Sequence, residues 1–583
     1  MKRLTLALMV VVLLVAGILP SAAQPDTPET VSGAALVPPD FELYVWIDIT
    51  NLETLDRVGR AFDQAFSFFD IYDIANPVWA VDSILNEPVW QLGLDYDSDV
   101  ASWLGETALI AFSDIPNLSY SSSERMPDHV TIVEVDDRNM ALWTMQRALI
   151  TAKQQGWPFE ELYYRGAPLF YSAWLSFALL DDYLVFGSLD RVRDVIDVYA
   201  GETPSLAGDD NFARVVADAP APATVGVYLG ASGVGTMLAD VAGASNDLAA
   251  LAVQAANPVD GAALTLRMLP DAVMLDLTFA IDSDAAEMLL GEGMGEFAAG
   301  TASGRVFQAL PVDTPVALVG RDLPAWYHTL RAWAPLLEPL AARLNHELAV
   351  QYNYQGPALT GLLRAGSQAG PLWFERLTGL NLEDDVLGWM EAEFAVALVP
   401  MSPYLLEGWR TSRFPYDVIA VAEVSDPDLA AGTLDQFTQS VQELGFPLLT
   451  QQIGGMEMYT MRLAQHQRLL ASWALADAFG AMATGVYSID RFLSLAQFGG
   501  PSMLDNPTLQ EALEYLGGPG HTMLFVNVEQ AAPYLLSTLP QDSSLRGRWL
   551  PTLQTFDSLA LSARAADNDV YAVTLLGVLS RDQ

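Results

Sequence analysis

Gly93-Leu-Asp-Tyr-Asp-Ser-Asp-Val-Ala-Ser-Trp-Leu104 returns 286 residues later as Gly379-Leu-Asn-Leu-Glu-Asp-Asp-Val-Leu-Gly-Trp-Met390. Other matches keep the same order along the chain. Gly156-Trp-Pro158 pairs with Gly445-Phe-Pro447, and Gly166 with Gly455, both at an offset of 289. Ser188-Leu-Asp-Arg191 pairs with Ser488-Ile-Asp-Arg491 at 300, and Pro204-Ser205 with Pro501-Ser502 at 297. Asp260, Leu264 and Arg267 pair with Asp557, Leu561 and Arg564, also at 297. Val37-Pro-Pro-Asp40 opens the first series and Leu310-Pro-Val-Asp313 the second. A preserved order with a drifting offset is the mark of a tandem duplication with loop insertions.

The duplication sets the expected domain plan. Residues 1–23 are a secretory signal and 24–33 a flexible tail. Repeat one spans 34–282, a Gly-rich linker spans 283–307, and repeat two spans 308–583. The period is too long for a solenoid, whose units run about 20–50 residues. Each copy is large enough to hold its own core.

Within one copy the periodicity predicts α+β, a mostly antiparallel sheet backed by helices. Strands are expected at 44–49, 107–112 and 130–135, with helical pattern between Leu52 and Leu92. Asp426 is placed to cap a helix, Pro427 to fill its first turn and Gly445 to end it. Ala430, Leu434, Phe437, Val441 and Leu444 form its apolar stripe. Leu142, Met145 and Leu149 do the same in the first copy. Short strands follow at 161–165, 169–172, 175–180 and 183–186, with Asp181-Asp182 as a turn. Ser188 is placed to cap a helix that buries Val192, Val195, Ile196 and Tyr199. A strand at 224–229 and a hairpin, 262–268 with 273–280, close the copy. Strands joined by such short turns pair antiparallel.

Composition narrows the function classes. Met1-Lys-Arg3, the apolar run Leu4–Leu19 and Pro20-Ser-Ala-Ala23 read as an export signal cleaved after Ala23, with an uncleaved N-terminal membrane anchor as the alternative. The expected location is extracellular or cell-envelope, with no transmembrane span in the mature chain. There is no cysteine, so disulfides, thiol catalysis and a lipidated cysteine are excluded. Net charge is −44, and losing Lys2 and Arg3 with the signal makes it −46. Base is scarce rather than acid abundant: only Lys2 and Lys153 are lysine. Such a surface repels nucleic-acid phosphates, so no nucleic-acid partner is expected.

The chain resembles a bacterial family of exported proteins known only as a domain of unknown function. The resemblance rests on Leu310-Pro-Val-Asp313 before a strand, the Gly-Leu-x-x-x-x-Asp-Val segment, Tyr183-Leu-Val-Phe-Gly-Ser188 and Pro204-Ser-Leu-x-x-x-x-Asn-Phe212. It covers most of the mature chain and implies an exported, envelope-associated protein. It brings no catalytic residues with it.

Candidate chemistry is sparse. Asp95, Asp97, Asp99 and Glu106 match positions 1, 3, 5 and 12 of a calcium loop, a candidate Ca2+ site. Val100 stands where that loop needs Gly, and the second copy has Ala392 in place of Glu106. The competing reading makes Asp97 or Asp99 a helix cap with Trp103 packed inward. His346-Glu347 begins a zinc-protease pattern, but Val350 stands where the second His belongs. Gly230-Ala-Ser232-Gly-Val234 approaches a nucleophile elbow with its closing Gly displaced to Gly235, and otherwise reads as a turn capped by Ser232. Trp46, Trp103, Trp143 and Trp389 sit in apolar patterns and are expected in the core. Arg191 and Arg267 are expected to neutralise local acid in ion pairs. No nucleophile, base and orienter come together, so the expectation is a non-catalytic binding or structural module with an unidentified envelope or extracellular partner. The alternatives are a hydrolase with a cleft between the repeats and a calcium-binding exported protein.

Overall fold

The computed structural model describes residues 33–50, 94–113, 128–157, 159–173, 175–217, 223–242, 258–282, 301–328, 331, 370–401, 416–463, 468–476, 478–532, 555–565 and 570–580. The N-terminal half contains β1 (Leu43–Asp48), β2 (Leu104–Phe112), β3 (His129–Val135), α1 (Arg138–Gln154), β4 (Glu160–Tyr164), β5 (Ala167–Tyr171), β6 (Ser176–Leu180) and β7 (Tyr183–Gly187). It continues with α2 (Leu189–Tyr199), α3 (Asp210–Ala217), β8 (Val225–Gly230), α4 (Ala231–Ala242), β9 (Val259–Met268) and β10 (Ala272–Ile281). The C-terminal half contains β11 (Val316–Arg321), α5 (Gly370–Thr378), β12 (Glu393–Pro400), β13 (Tyr416–Glu423), α6 (Pro427–Glu443), β14 (Leu448–Ile453), β15 (Met456–Leu463) and β16 (Arg468–Ala476). It ends with β17 (Phe479–Ala483), α7 (Val486–Phe498), α8 (Pro507–Leu516), β18 (Thr522–Asn527), β19 (Phe556–Ala565) and β20 (Val570–Leu579).

Among the described residues all twenty strands belong to one sheet. In the N-terminal half β4, β5, β6, β7, β3, β2, β1, β8, β9 and β10 follow one another, each antiparallel to the next. In the C-terminal half the order is β14, β15, β16, β17, β13, β12, β11, β18, β19 and β20, again antiparallel throughout. Every pairing on one side therefore has a counterpart on the other. The halves join through β10 and β20, which pair antiparallel over nine residues from Ala272↔Val578 to Ala280↔Val570.

The helices cover both faces. On one face α2 and α3 roof a core around Tyr44, Ile132, Val195 and Phe212, and α7 and α8 roof its counterpart around Val319, Phe492, Leu509 and Phe525. The two cores are not private. Val570 of β20 belongs to the N-terminal core, and Ala272 and Met274 of β10 belong to the C-terminal one. Each half keeps its own main cluster, and antiparallel pairing carries the last strand of each past the midline, so the two interiors share residues at the junction. On the other face α1 packs over Trp103 and Phe177, and α6 over Trp389 and Phe394.

Local signals act as expected in several places. Asp426 Oδ1 accepts from the backbone N–H groups of Asp428 and Leu429, Pro427 occupies the first turn, and Gly445 has φ 77° beyond the end of α6. Asp181 takes φ 44° in the β6–β7 turn. The expected stripes are partly displaced. On α6 the buried set is Ala430, Thr433, Thr438 and Val441, and Leu444 is exposed. On α1 it is Ala141, Thr144, Met145, Ala148 and Ala152, with Leu142 and Trp143 exposed. Tyr199 is likewise exposed, its hydroxyl donating to Asp181, and Val198 is buried in its place. The threonines move inward because their hydroxyls find partners there.

Candidate functional site

The acidic turns around Asp99 and Asp385 are built alike. Residues Tyr96–Val100 form a wide helical turn before β2. Asp99 is buried, and its Oδ2 accepts from the N–H of Asp95 at 2.9 Å while Oδ1 forms an ion pair with Arg147 of α1. Asp95 Oδ1 accepts from the N–H and hydroxyl of Ser98 at 3.0 and 2.9 Å. The carbonyl of Asp99 accepts from Trp103 Nε1 and from Thr144 Oγ1, both at 2.7 Å. In the C-terminal half Asp385 Oδ2 accepts from the N–H of Asn381 at 2.7 Å, and its carbonyl accepts from Thr433 Oγ1 at 2.6 Å. The turn thus pins a helix to the sheet. Thr144 and Thr433 are the anchoring residues that apolar periodicity passes over.

Of the four calcium candidates, Asp95 and Asp99 meet in this turn with their carboxylates engaged by backbone, Ser98 and Arg147. Glu106 stands exposed on β2. The side chain of Asp97 lies outside the described residues. Among the described residues no group of three or more His, Asp or Glu side chains is arranged to hold a metal ion. His346 and Glu347 lie outside the described residues. Ser232 sits in the first turn of α4, which starts at Ala231, so it is a helical residue rather than the cap.

A second polar cluster also occurs twice, where α2 and α7 begin. Arg191 Nε donates to Asp128 at 3.1 Å and its Nη1 to Asp194 at 2.9 Å. Arg491 instead makes a two-pronged bond to Asp313. Ser488, inside α7, donates to Asp417 at 2.8 Å. Burial pushes the Asp417 carboxyl above the usual carboxylate range, and the Ser488 hydroxyl pulls it part of the way back. Ser188 precedes α2 without making a cap bond, and its buried hydroxyl has no partner among the described residues. Ser488 and the two arginines thus tie α7 and α2 to neighbouring segments, while the ion pair expected for Arg267 joins β9 to Asp276 of β10. Trp143, expected in the core, lies outside with the Arg147 guanidinium 5.6 Å from its ring.

A third feature is apolar. On the face opposite the α7–α8 layer, the register lines up Met482, Ala420, Val396, Leu318 and Leu524 on five neighbouring strands. At about 4.8 Å per strand the row is roughly 19 Å long. It continues through Leu561 and Leu575 to Leu275 across the junction. Val396 is 40 % exposed and Met482 43 %, whereas Ile110, which stands 286 residues before Val396, is 6 % exposed. Leu524 is 36 % exposed as well, so the row is an accessible, contiguous line of apolar side chains.

The family model described as protein of unknown function, DUF3352, matches residues 4–576. The chain belongs to this family. No curated protein matches the chain. Among solved structures, crystal form III of TP0453 is 11 % identical, covering 45 % of this chain and 87 % of that one with a TM-score of 0.24. Crystal form I of the same protein is 12 % identical, covering 43 % and 79 %, also with a TM-score of 0.24. Likeness at that level carries no argument. The expected resemblance to a family of unknown function is therefore met across nearly the whole DUF3352 chain.

The apolar row was not legible in the DUF3352 sequence alone. Each of its strands contributes one residue, and only register puts them side by side. A signal was present in Val396 and Leu398, which alternate with the buried Ala395 and Ala397 on β12. Alternation of apolar residues on both faces implies a strand whose second face also requires a cover.

Proposed function

We propose that this DUF3352 chain is an exported, non-catalytic binding protein made of two copies of one α+β unit. Its C-terminal apolar row receives an amphipathic helix of a partner. The one-to-one correspondence of strand pairings, together with the repeated sequence blocks, supports the duplication. Residues 1–23 support export. Among the repeated polar residues, Arg191, Arg491, Ser488 and Arg267 are engaged with carboxylates, which supports a binding role over a catalytic one.

The single observation that carries the reading is the row from Met482 to Leu524. Sheet faces in such folds are covered by helices, and five strands leave room for about two helix diameters of 10 Å. The net charge of −44 selects a partner whose polar side carries Lys or Arg. Because the chain has no cysteine, Val396→Cys places one environment-sensitive dye on the row. Titration with an envelope extract is expected to shift its emission to the blue, and Val396→Glu is expected to abolish capture of the partner. An unresponsive dye, with the same capture by wild type and Val396→Glu, would overturn the proposal.

A further inference from the structure

The twenty-strand sheet ends in two outer edges of different chemistry. At one end β4 begins Glu160-Glu161, both exposed. At the other, β14 is Leu448-Leu-Thr-Gln-Gln-Ile453, six residues without a charge, of which the middle four are exposed. Among the described residues each edge strand pairs on one side only, β4 with β5 and β14 with β15. Proteins usually guard a free edge with charge, Pro or a bulge. The two glutamates of β4 do this; nothing in β14 does.

Two further features flank β14. Helix α7 packs against it, and the Gln497 amide donates to the Gly454 carbonyl in the β14–β15 turn. The next residue, Phe498, is 72 % exposed, and Leu449 of the strand is exposed as well. Leu449 and Ile453 share the helix side, because Met458, the partner of Gln451, lies in the core there. On the opposite face Gln452 pairs with Glu457 of β15. The helix-side face of the edge therefore carries Leu449 and Ile453 with Gln451 between them, and the other face carries one carboxylate, Glu457, which also accepts from the Tyr459 hydroxyl.

We propose that β14 is a docking edge for an extended peptide strand in which apolar and basic side chains alternate. The peptide would hydrogen-bond the outer main chain of β14. Its apolar side chains would rest beside Leu449 and Phe498, and its basic ones would face Glu457. The period-2 alternation of a strand delivers both sets at once. A second copy of the chain fits less well. Six residues of edge fall far short of the roughly 1,200 Å² that a stable protein interface buries, and two chains of charge −44 repel. The proposal stands apart from the apolar row, which lies inside the sheet.

The test uses the full chain and a capped Val-Lys-Val-Lys-Val-Lys-Val peptide, with a Val-Glu counterpart as control. With the Val-Lys peptide, amide exchange at residues 448–453 is expected to slow about tenfold or more, and residues 160–164 of β4 to be unchanged. Phe498→Ala, at an exposed site, should weaken binding by about fivefold or more, a loss near 1 kcal/mol. The Val-Glu peptide should not bind. The inference is overturned if bound peptide leaves 448–453 unprotected, if β4 is protected equally, if Phe498→Ala binds as tightly as wild type, or if the Val-Glu peptide binds as well.

Discussion

Replacing Arg267 with Met probes the junction of the two halves. Asp276 lies in the middle of β10, opposite Thr574 of β20, and is 1 % exposed. Its Oδ2 accepts from Arg267 Nε at 2.8 Å, and its Oδ1 from Arg267 Nη2 at 3.3 Å and from Thr574 Oγ1 at 2.6 Å. Met keeps much of the volume of the Arg stem, but it leaves a buried carboxylate with one hydroxyl donor. Breaking a buried pair from one side costs about 3–5 kcal/mol. A unit of about 250 residues shifts its Tm by about 2–4 °C per kcal/mol, so the expected loss is at least about 6 °C. Urea unfolding followed by tryptophan fluorescence gives the same quantity as a free energy. The double variant Arg267→Met with Asp276→Leu removes both charges and should return to within about 1 kcal/mol of wild type. The reasoning fails if the single variant loses less than about 1 kcal/mol, or if the double variant is no more stable than the single.

Two further outcomes are expected. The Asp417 carboxyl is raised by burial, so its favourable contribution is complete below the unfolded value near pH 3.9 and is lost as pH rises through the folded value. Asp417→Asn should therefore gain stability relative to wild type as pH is raised from about 4 to 7, and parallel Tm-against-pH curves would contradict this. Gly226 faces Trp46 in register on β8 and β1, and a Cβ there would overlap the indole ring. Gly226→Val should cost about 1–3 kcal/mol or more by overpacking, and an unchanged urea midpoint would contradict the packing.

The sequence carries the strands well because each is an apolar run bounded by turn residues. The β6–β7 hairpin around Asp181-Asp182 and the long final hairpin 259–281 fall within a few residues of expectation. Caps are legible only where the side chain has no competitor. Asp426 caps α6, whereas Ser488 lies inside α7 and donates to a buried carboxylate from a strand 71 residues earlier. The buried face shifts by one position on α1, and on α6 Thr433 and Thr438 are buried beside the expected Ala430 and Val441, because Thr144 and Thr433 bond the acidic turns and Thr438 accepts from Trp473; hydrophobicity alone does not mark them. The expected helix between Leu52 and Leu92 lies outside the described residues. The junction is the least legible part. Arg267 and Arg564 repeat, but their partners do not: Asp276 serves Arg267, while Thr574 stands opposite Asp276 and Arg564 is exposed.

The most direct test of one sheet running through both halves is a pair of cysteines introduced across β10 and β20. Leu275 and Leu575 are register partners. Opposed antiparallel residues have Cα separations of about 4.5–5.5 Å, within the range a disulfide accepts. The chain has no cysteine to compete. Leu275→Cys with Leu575→Cys is expected to form an intramolecular disulfide on mild oxidation without loss of fold, and Leu275→Cys with Leu561→Cys, one strand farther away, is expected to remain reduced. Failure of the register pair to close, or equal closure of the distant pair, would contradict the junction and the single sheet that runs through it.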